Sequence, residues 1–165
     1  MKPEHSGFET ADKAEEAFYQ AFSRCDLTAM MHIWLDAEYV ECIHPANPRL
    51  RGIAAIRYSW QQIFAQGQQL RFQIVRHHCT QTGNLAIHSV SEQIQSSSAP
   101  PAPMAEIIAT NVYELTEDGW RMILHHASPA RTIEQPSTTT DRTTRSLPCP
   151  IQRRPKARSR STGRN

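Results

Sequence analysis

Apolar residues recur every three or four positions in the first third of the chain and every second position after Gly67. In "ADKAEEAFYQAFSRC", residues 11–25, Ala14, Ala17, Phe18, Ala21 and Phe22 fall on one stripe, which predicts an amphipathic helix. Ser6 followed by Glu9 reads as a capping box ahead of it. Asp26 reads as the N-cap of a short second helix that buries Leu27, Met30, Met31 and Trp34. "EYVECI", residues 38–43, predicts a strand, and "HPANPRLRG" a loop, from its two prolines and closing glycine. Residues 53–66 predict a third helix with Ile53, Ile56, Trp60, Ile63 and Phe64 on its apolar face.

Beyond Gly67, "LRFQIVRH" alternates Leu70, Phe72 and Ile74 with Arg71 and Gln73, the period of a strand. "NLAIHSVSEQIQ" predicts a second strand after the turn "TGN". "SSSAPPAP", residues 96–103, predicts a loop, and "MAEIIATNVYEL" and "WRMILHHAS" predict two more strands joined by "TEDG". The order α-α-β-α-β-β-β-β predicts an α+β domain, with three helices on one face of a curved antiparallel sheet.

If "TEDG" is a four-residue loop, Leu115 faces Trp120, Glu114 faces Arg121 and Tyr113 faces Met122. Asn111, Tyr113, Leu115, Trp120, Met122, Leu124 and His126 then share one face. The opposite-charge pair Glu114–Arg121 suits a solvated face, so the first set is expected to face the core. His126 is thereby expected inside beside Asn111, and His125 outside. A bulge near the strand end would exchange the two histidines.

Charge divides the chain. Residues 1–130 hold nine basic and fourteen acidic side chains, and residues 131–165 hold nine basic side chains against Glu134 and Asp141. That last segment is rich in Ser, Thr, Pro and Arg, has no apolar period and cannot bury enough surface to offset the entropy of ordering. The expected organisation is a flexible N-terminus over 1–7, a domain over 8–130 and a disordered basic tail over 131–165. The tail could meet nucleic acid through phosphate contacts, but it has no interleaved aromatics to stack on bases, and a solvated terminus is the favoured reading. No apolar stretch reaches the roughly 20 residues of a membrane span, and the first residues lack a signal peptide's apolar run, so a cytoplasmic protein is expected. Cys25, Cys42, Cys79 and Cys149 are widely spaced and read as buried thiols, not as disulfides or zinc ligands.

The "DLTAMMHIW" helix, the "RGIAAIRYSW" helix start and above all "ATNVYELTEDGWRMILHHASP" resemble the SnoaL-like, nuclear transport factor 2-like superfamily. The last stretch is similar to the end of DUF4440-type members and of the calcium/calmodulin-dependent protein kinase II association domain. The resemblance spans about residues 8–130. It implies a cone-shaped α+β barrel enclosing a ligand pocket, and dimerisation through the outer sheet face. The superfamily hosts isomerases, dehydratases and binding scaffolds, so the fold does not give the function.

The candidate pocket residues are Trp34, His44, Trp60, Glu92, Asn111 and His126. Glu92 stands where SnoaL-like members often carry a glutamate. A carboxyl in an apolar cavity has a raised pKa and can serve as general acid or base, whereas on a mixed strand face with His88 and Val90 it could equally be solvated. His44 stands where a strand enters a loop and could line the pocket mouth or equally be a surface loop histidine. Trp34 and Trp60 lie on helix faces, where tryptophan is more often a core residue than a ligand platform. A gapless comparison with ketosteroid isomerases puts Cys42 at their catalytic base and Phe18 at their oxyanion-hole tyrosine, with Tyr19 and Glu41 one position off. Where the kinase association domain has pocket arginines, this chain has Ser89, Asn111 and Ala127. Neither chemistry is carried over. Metal chelation by "HH" at 77–78 or 125–126 is disfavoured because neighbours on a strand face opposite ways, and no motif asks for a cofactor. The expected function is binding of an unknown small molecule, with isomerase- or dehydratase-type catalysis. The rival is a non-enzymatic association module whose pocket is only core.

Overall fold

The computed structural model describes residues 6–67, 70–96 and 105–130. Helix α1, Ala11–Arg24, begins at Thr10, whose hydroxyl accepts from the Lys13 N–H at 3.1 Å, and ends on Cys25 in the left-handed region. The cap is thus Thr10 and not the upstream Ser6. Its buried positions are Ala11, Ala14, Glu15, Phe18, Tyr19 and Ala21, while Ala17 and Phe22 are only half-buried. The inner face is therefore turned toward two polar residues that the apolar stripe alone does not include. Helix α2, Leu27–Ile33, is capped by Asp26 as expected, with Trp34 just beyond it in an extended conformation. Helix α3 covers Ile53–Ala65 and buries Ile56, Trp60 and Phe64.

The strands are β1 (Glu41–Ile43), β2 (Leu50–Arg51), β3 (Leu70–Thr82), β4 (Leu85–Ser96), β5 (Ala105–Thr116) and β6 (Gly119–Pro129). They form an open sheet in the order β2-β1-β6-β5-β4-β3. Strands β3 to β6 are an antiparallel meander, but β1 lies parallel to β6, so the sheet is mixed and not purely antiparallel. Strand β2 falls in the segment expected to be loop, where Leu50 and Arg51 pair back on β1. Helix α1 packs across β3, β5 and β6, so its inner face meets the middle of the sheet.

Two bulges decide which side chains meet there. In the β5–β6 hairpin the expected register holds from Leu115–Trp120 through Tyr113–Met122. Val112 then pairs with Leu124, and Ile123 is the extra residue. One inserted residue exchanges the faces of everything after it. His125 is therefore inside, 2% exposed, and His126 is outside. The expectation that His126 faces the pocket is corrected: strict alternation fails at Ile123. A second bulge, between Arg76 and His78, adds His77 to β3. His77 bonds the Ser91 hydroxyl and His78 bonds Thr80, so at 77–78 the alternation is broken too.

The chain before α1 is tied to the β5–β6 turn, with Phe8 and Trp120 exchanging backbone hydrogen bonds at 3.1 and 2.8 Å. Gly119 has φ +118°, and a Cβ there would lie 2.8 Å from the Gly7 carbonyl carbon and the Phe8 oxygen. Gly119→Ala should therefore cost about 1–3 kcal/mol through strain and loss of this contact. Gly67→Ala, where φ is +64° but the space is open, should cost only the left-handed penalty of about 1–2 kcal/mol. Urea melts of the two variants check this; equal losses would show that the segment before α1 does not dock on the turn.

Candidate functional site

Sheet register lines up one polar row. Cys79 on β3 pairs with His88 on β4, His88 with Asn111 on β5, Asn111 with His125 on β6, and His125 with Cys42 on β1. Helix α1 lays Glu15 and Tyr19, one turn apart, over this row. Glu92 stands four residues along β4 from His88, on the same face.

These groups are linked. Glu15, 2% exposed, accepts from the Arg76 Nε at 2.7 Å and from the His88 Nδ1 at 2.9 Å. The Asn111 amide nitrogen lies 3.4 Å from the same Glu15 oxygen and 3.1 Å from the Tyr19 hydroxyl. The Asn111 carbonyl oxygen is 2.7 Å from the His125 Nδ1. The Tyr19 hydroxyl donates to Glu92 at 2.8 Å. At the outer end Arg76 also pairs with Asp12 at 2.8 Å. A cavity of about 180 Å³ opens where Glu15, Glu16, Tyr19, Ile74 and Arg76 meet, so the linked groups reach from a solvent opening to the interior.

Burial sets their proton affinities apart. Burial works to raise the Glu15 carboxyl, but the hydrogen bonds and charges of His88 and Arg76 outweigh it and hold the group below its ordinary value. A carboxylate only accepts, so the His88 Nδ1 carries the hydrogen toward it. Glu92 is pushed up to about 7, first by burial and then by the Glu15 charge, against the lowering effect of the Tyr19 hydroxyl. His125 is lowered to about 3 by burial and by His44 and His126, so it is neutral across the physiological range. Burial raises the Tyr19 phenol and the Cys42 thiol far above their usual values. Cys42, at the position of the ketosteroid isomerase base, is thus an inert thiol at neutral pH. Two buried carboxyls, one held ionised and one held near neutrality, make a division of labour suited to proton transfer.

The sequence-derived candidates fall into three groups. Glu92 and Asn111 are in the chain of hydrogen bonds. His44 and Trp60 pack edge to face at 4.9 Å, with the His44 ring 6.4 Å from His125, so they lie beside it. Trp34 and His126 are not brought to it: Trp34 pairs with Met122 and lines a separate groove with Asp36 and Arg121, and His126 is exposed. Sequence reasoning missed Glu15, Arg76 and His88 as site members, set Tyr19 aside and placed His125 outside. The i, i+4 spacing of Glu15 and Tyr19 beside the apolar stripe was the available signal for two of them. Among the described residues no cluster of three or more His, Cys, Asp or Glu could hold a metal ion.

Three helices against this mixed, open sheet define the nuclear transport factor 2-like α+β cone. Residues 12–132 match the model of the SnoaL-like domain. The chain belongs to that family. Its fold is similar to that of a Thiobacillus denitrificans protein named for the calcium/calmodulin-dependent protein kinase type II association domain, with 39% identity and TM-score 0.69 over 76% of this chain and 98% of that one. It is also similar to a protein named as a dehydratase of the NTF2-like family from Streptomyces avermitilis, with 33% identity and TM-score 0.67 over 73% and 94%. An F-box protein, SKIP8 of Arabidopsis thaliana, is 28% identical over 102 residues, which is 62% of this chain but only 42% of the plant protein. No described helix is long and apolar enough to cross a membrane. The basic segment 131–165, with its expected disorder and nucleic-acid contact, lies outside the described residues.

Proposed function

We propose that this SnoaL-like domain binds an uncharged small molecule and moves a proton on it, with Glu92 as general acid and base. The observation that carries the reading is a buried carboxyl poised at about 7 at the inner end of hydrogen bonds that begin at a cavity. A group with that affinity is available in both protonation states at neutral pH, which is what general acid–base chemistry requires. Glu92 as carboxylate would take a proton from a carbon beside a carbonyl through the Tyr19 hydroxyl that lines the cavity, which accepts that proton as it passes its own to Glu92. As the acid it would return that proton to another carbon, completing an isomerisation, or to a departing hydroxyl, completing a dehydration. The similarity to a protein named as a dehydratase accords with the second course. The Arg76 guanidinium is already shared between Asp12 and Glu15, so a carboxylate ligand would find no unshared cation there, and a neutral hydroxy- or keto-compound fits better.

A thermal-shift panel of such compounds tests the reading. A true ligand at about 100 times its Kd should stabilise the wild type by about 2.7 kcal/mol, and in D2O the wild type but not Glu92→Gln should exchange deuterium into it. A ligand that binds but exchanges equally fast with Glu92→Gln would remove Glu92 from the chemistry.

One observation favours the second reading, a homodimerising association module. Val75, Ile87 and Ile108 are exposed on the outer sheet face, away from the helices. The relative named for an association domain accords with this. Light scattering should show a dimer that Ile108→Lys converts to monomer; a monomeric wild type at about 50 μM, a concentration above the Kd of a stable dimer, would end this reading.

A further inference from the structure

We infer that Glu15 is a positioning residue: its fixed negative charge orients the Asn111 amide, and through it decides which nitrogen of His125 carries the proton and where the Tyr19 hydroxyl hydrogen points. The functional meaning of this rests on Glu92 being the reactive group, but the geometry itself belongs to the ligand-free protein.

The argument is one of donors and acceptors. An ionised carboxylate can only accept, whereas an amide donates on one side and accepts on the other. With Glu15 3.4 Å away, the NH2 of Asn111 must lie on the Glu15 side; the reverse placement would set two acceptors against each other. The same NH2 reaches Tyr19 at 3.1 Å. The amide oxygen is then committed to His125, so the Nδ1 at 2.7 Å must donate. His125 is neutral, so its Nε2 is left without a hydrogen. The Tyr19 oxygen, already accepting from Asn111, sends its own hydrogen to Glu92 at 2.8 Å. Each step follows from the one before it, and the first is fixed by the anion that Arg76 and His88 hold in place.

Glu15→Gln removes that constraint with little change of shape. The Gln oxygen is drawn to Arg76, which leaves its NH2 facing both Asn111 and His88, so the His88 Nδ1 must give up its hydrogen and accept. Asn111 must then turn its oxygen inward and its NH2 toward His125, whose Nδ1 becomes an acceptor. Tyr19 is freed to donate to Asn111 and no longer to Glu92.

Two readouts test this on the ligand-free chain. In histidine 15N NMR spectra, wild-type His125 should be the Nδ1–H tautomer and Glu15→Gln should move it to Nε2–H. Carboxyl 13C titration of Glu92 gives the second. The groups acting on Glu92 are Tyr19 and Glu15, both from α1, and the Tyr19 bond lowers it more than the Glu15 charge raises it. If Glu15 contributes only charge, its removal moves the Glu92 midpoint below the wild-type value. If Glu15 orients Tyr19, the midpoint rises. A wild-type Nε2–H tautomer overturns the inference without any variant, and so does a falling Glu92 midpoint in Glu15→Gln. Neither result depends on a substrate, so failure here is distinct from failure of the proposed activity.

Discussion

Replacing Glu15 with alanine should destabilise the fold by about 3–5 kcal/mol, since each donor that loses this buried acceptor costs about 1–3 kcal/mol. For a domain of this size the melting temperature should fall by on the order of 10–20 °C. The alanine leaves the Arg76 Nε, the His88 Nδ1 and the Asn111 amide facing an empty space where an acceptor stood. Desolvation of the Arg76 Nε and the His88 Nδ1, the two donors left unmet while Asn111 keeps Tyr19, makes the effect large, more than lost packing does. The pH dependence has a definite sign. Glu15 is held below its ordinary value of 4.5 in the folded state, so the unfolded chain binds the proton more readily. The stabilisation it supplies is present above pH 4.5 and is lost as pH falls through the lower folded value. Thermal melts at pH 7 and at pH 3 should show the wild type and Glu15→Ala converging at the acid end. A variant melting within about 2 °C of wild type at pH 7, less than 1 kcal/mol, would mean that Glu15 is not the anchor of these contacts.

Glu92→Gln should do the reverse: stabilise the protein in alkaline solution while removing the proton transfer proposed for this group. Glu92 is raised from 4.5 to about 7 in the folded state. Between those values the native protein holds a proton that the unfolded chain gives up. Stability from this group is therefore complete below pH 4.5, declines as pH rises and is fully lost above about 7. The difference amounts to about 3 kcal/mol at pH 8. Glutamine stays neutral throughout and still offers an oxygen to the Tyr19 hydroxyl, so the variant should melt higher than wild type at pH 8 and about equally at pH 4. Catalysis on any identified substrate should fall by about 10²–10⁴, the share usually carried by a general acid–base. Scanning calorimetry at the two pH values checks the stability claim. Equal destabilisation at both would identify Glu92 as an ordinary buried group whose loss only disturbs packing. Stability forgone for a poised group is the common mark of a functional site.

The fold was legible wherever one period ran without interruption. Helices α2 and α3 and the four long strands follow from local spacing, and the domain class follows from their order. What spacing could not supply was the parallel pairing of β1 with β6, since Glu41–Ile43 is too short to show which neighbour it will meet. In the sequence, Asn111 stood out as a polar residue on the expected core face of the last hairpin, whereas Glu92 stood out only through the family resemblance, since its strand face with His88 and Val90 is mixed. The site was only half legible in Glu15 and Tyr19: their i, i+4 spacing was there to read, but their burial depends on how α1 is rotated against the sheet. The apolar stripe leaves that rotation open by about one residue, or 100°. It was misread at His126, because an inserted residue has no signature in the pattern "RMILHH": Ile123 is as good a strand former as the residues that flank it.

That inserted residue makes the inner histidine a matter of counting and not of residue type. Two chains that both read His-His at this point present different imidazoles to the interior if only one carries the bulge at Ile123. A column-by-column comparison of such chains would pair an inward side chain with an outward one and show perfect identity. Inheritance of function along this strand is therefore traced by backbone register: the residue to compare with His125 in a relative is whichever one stands opposite the counterpart of Asn111, whatever its neighbour may be.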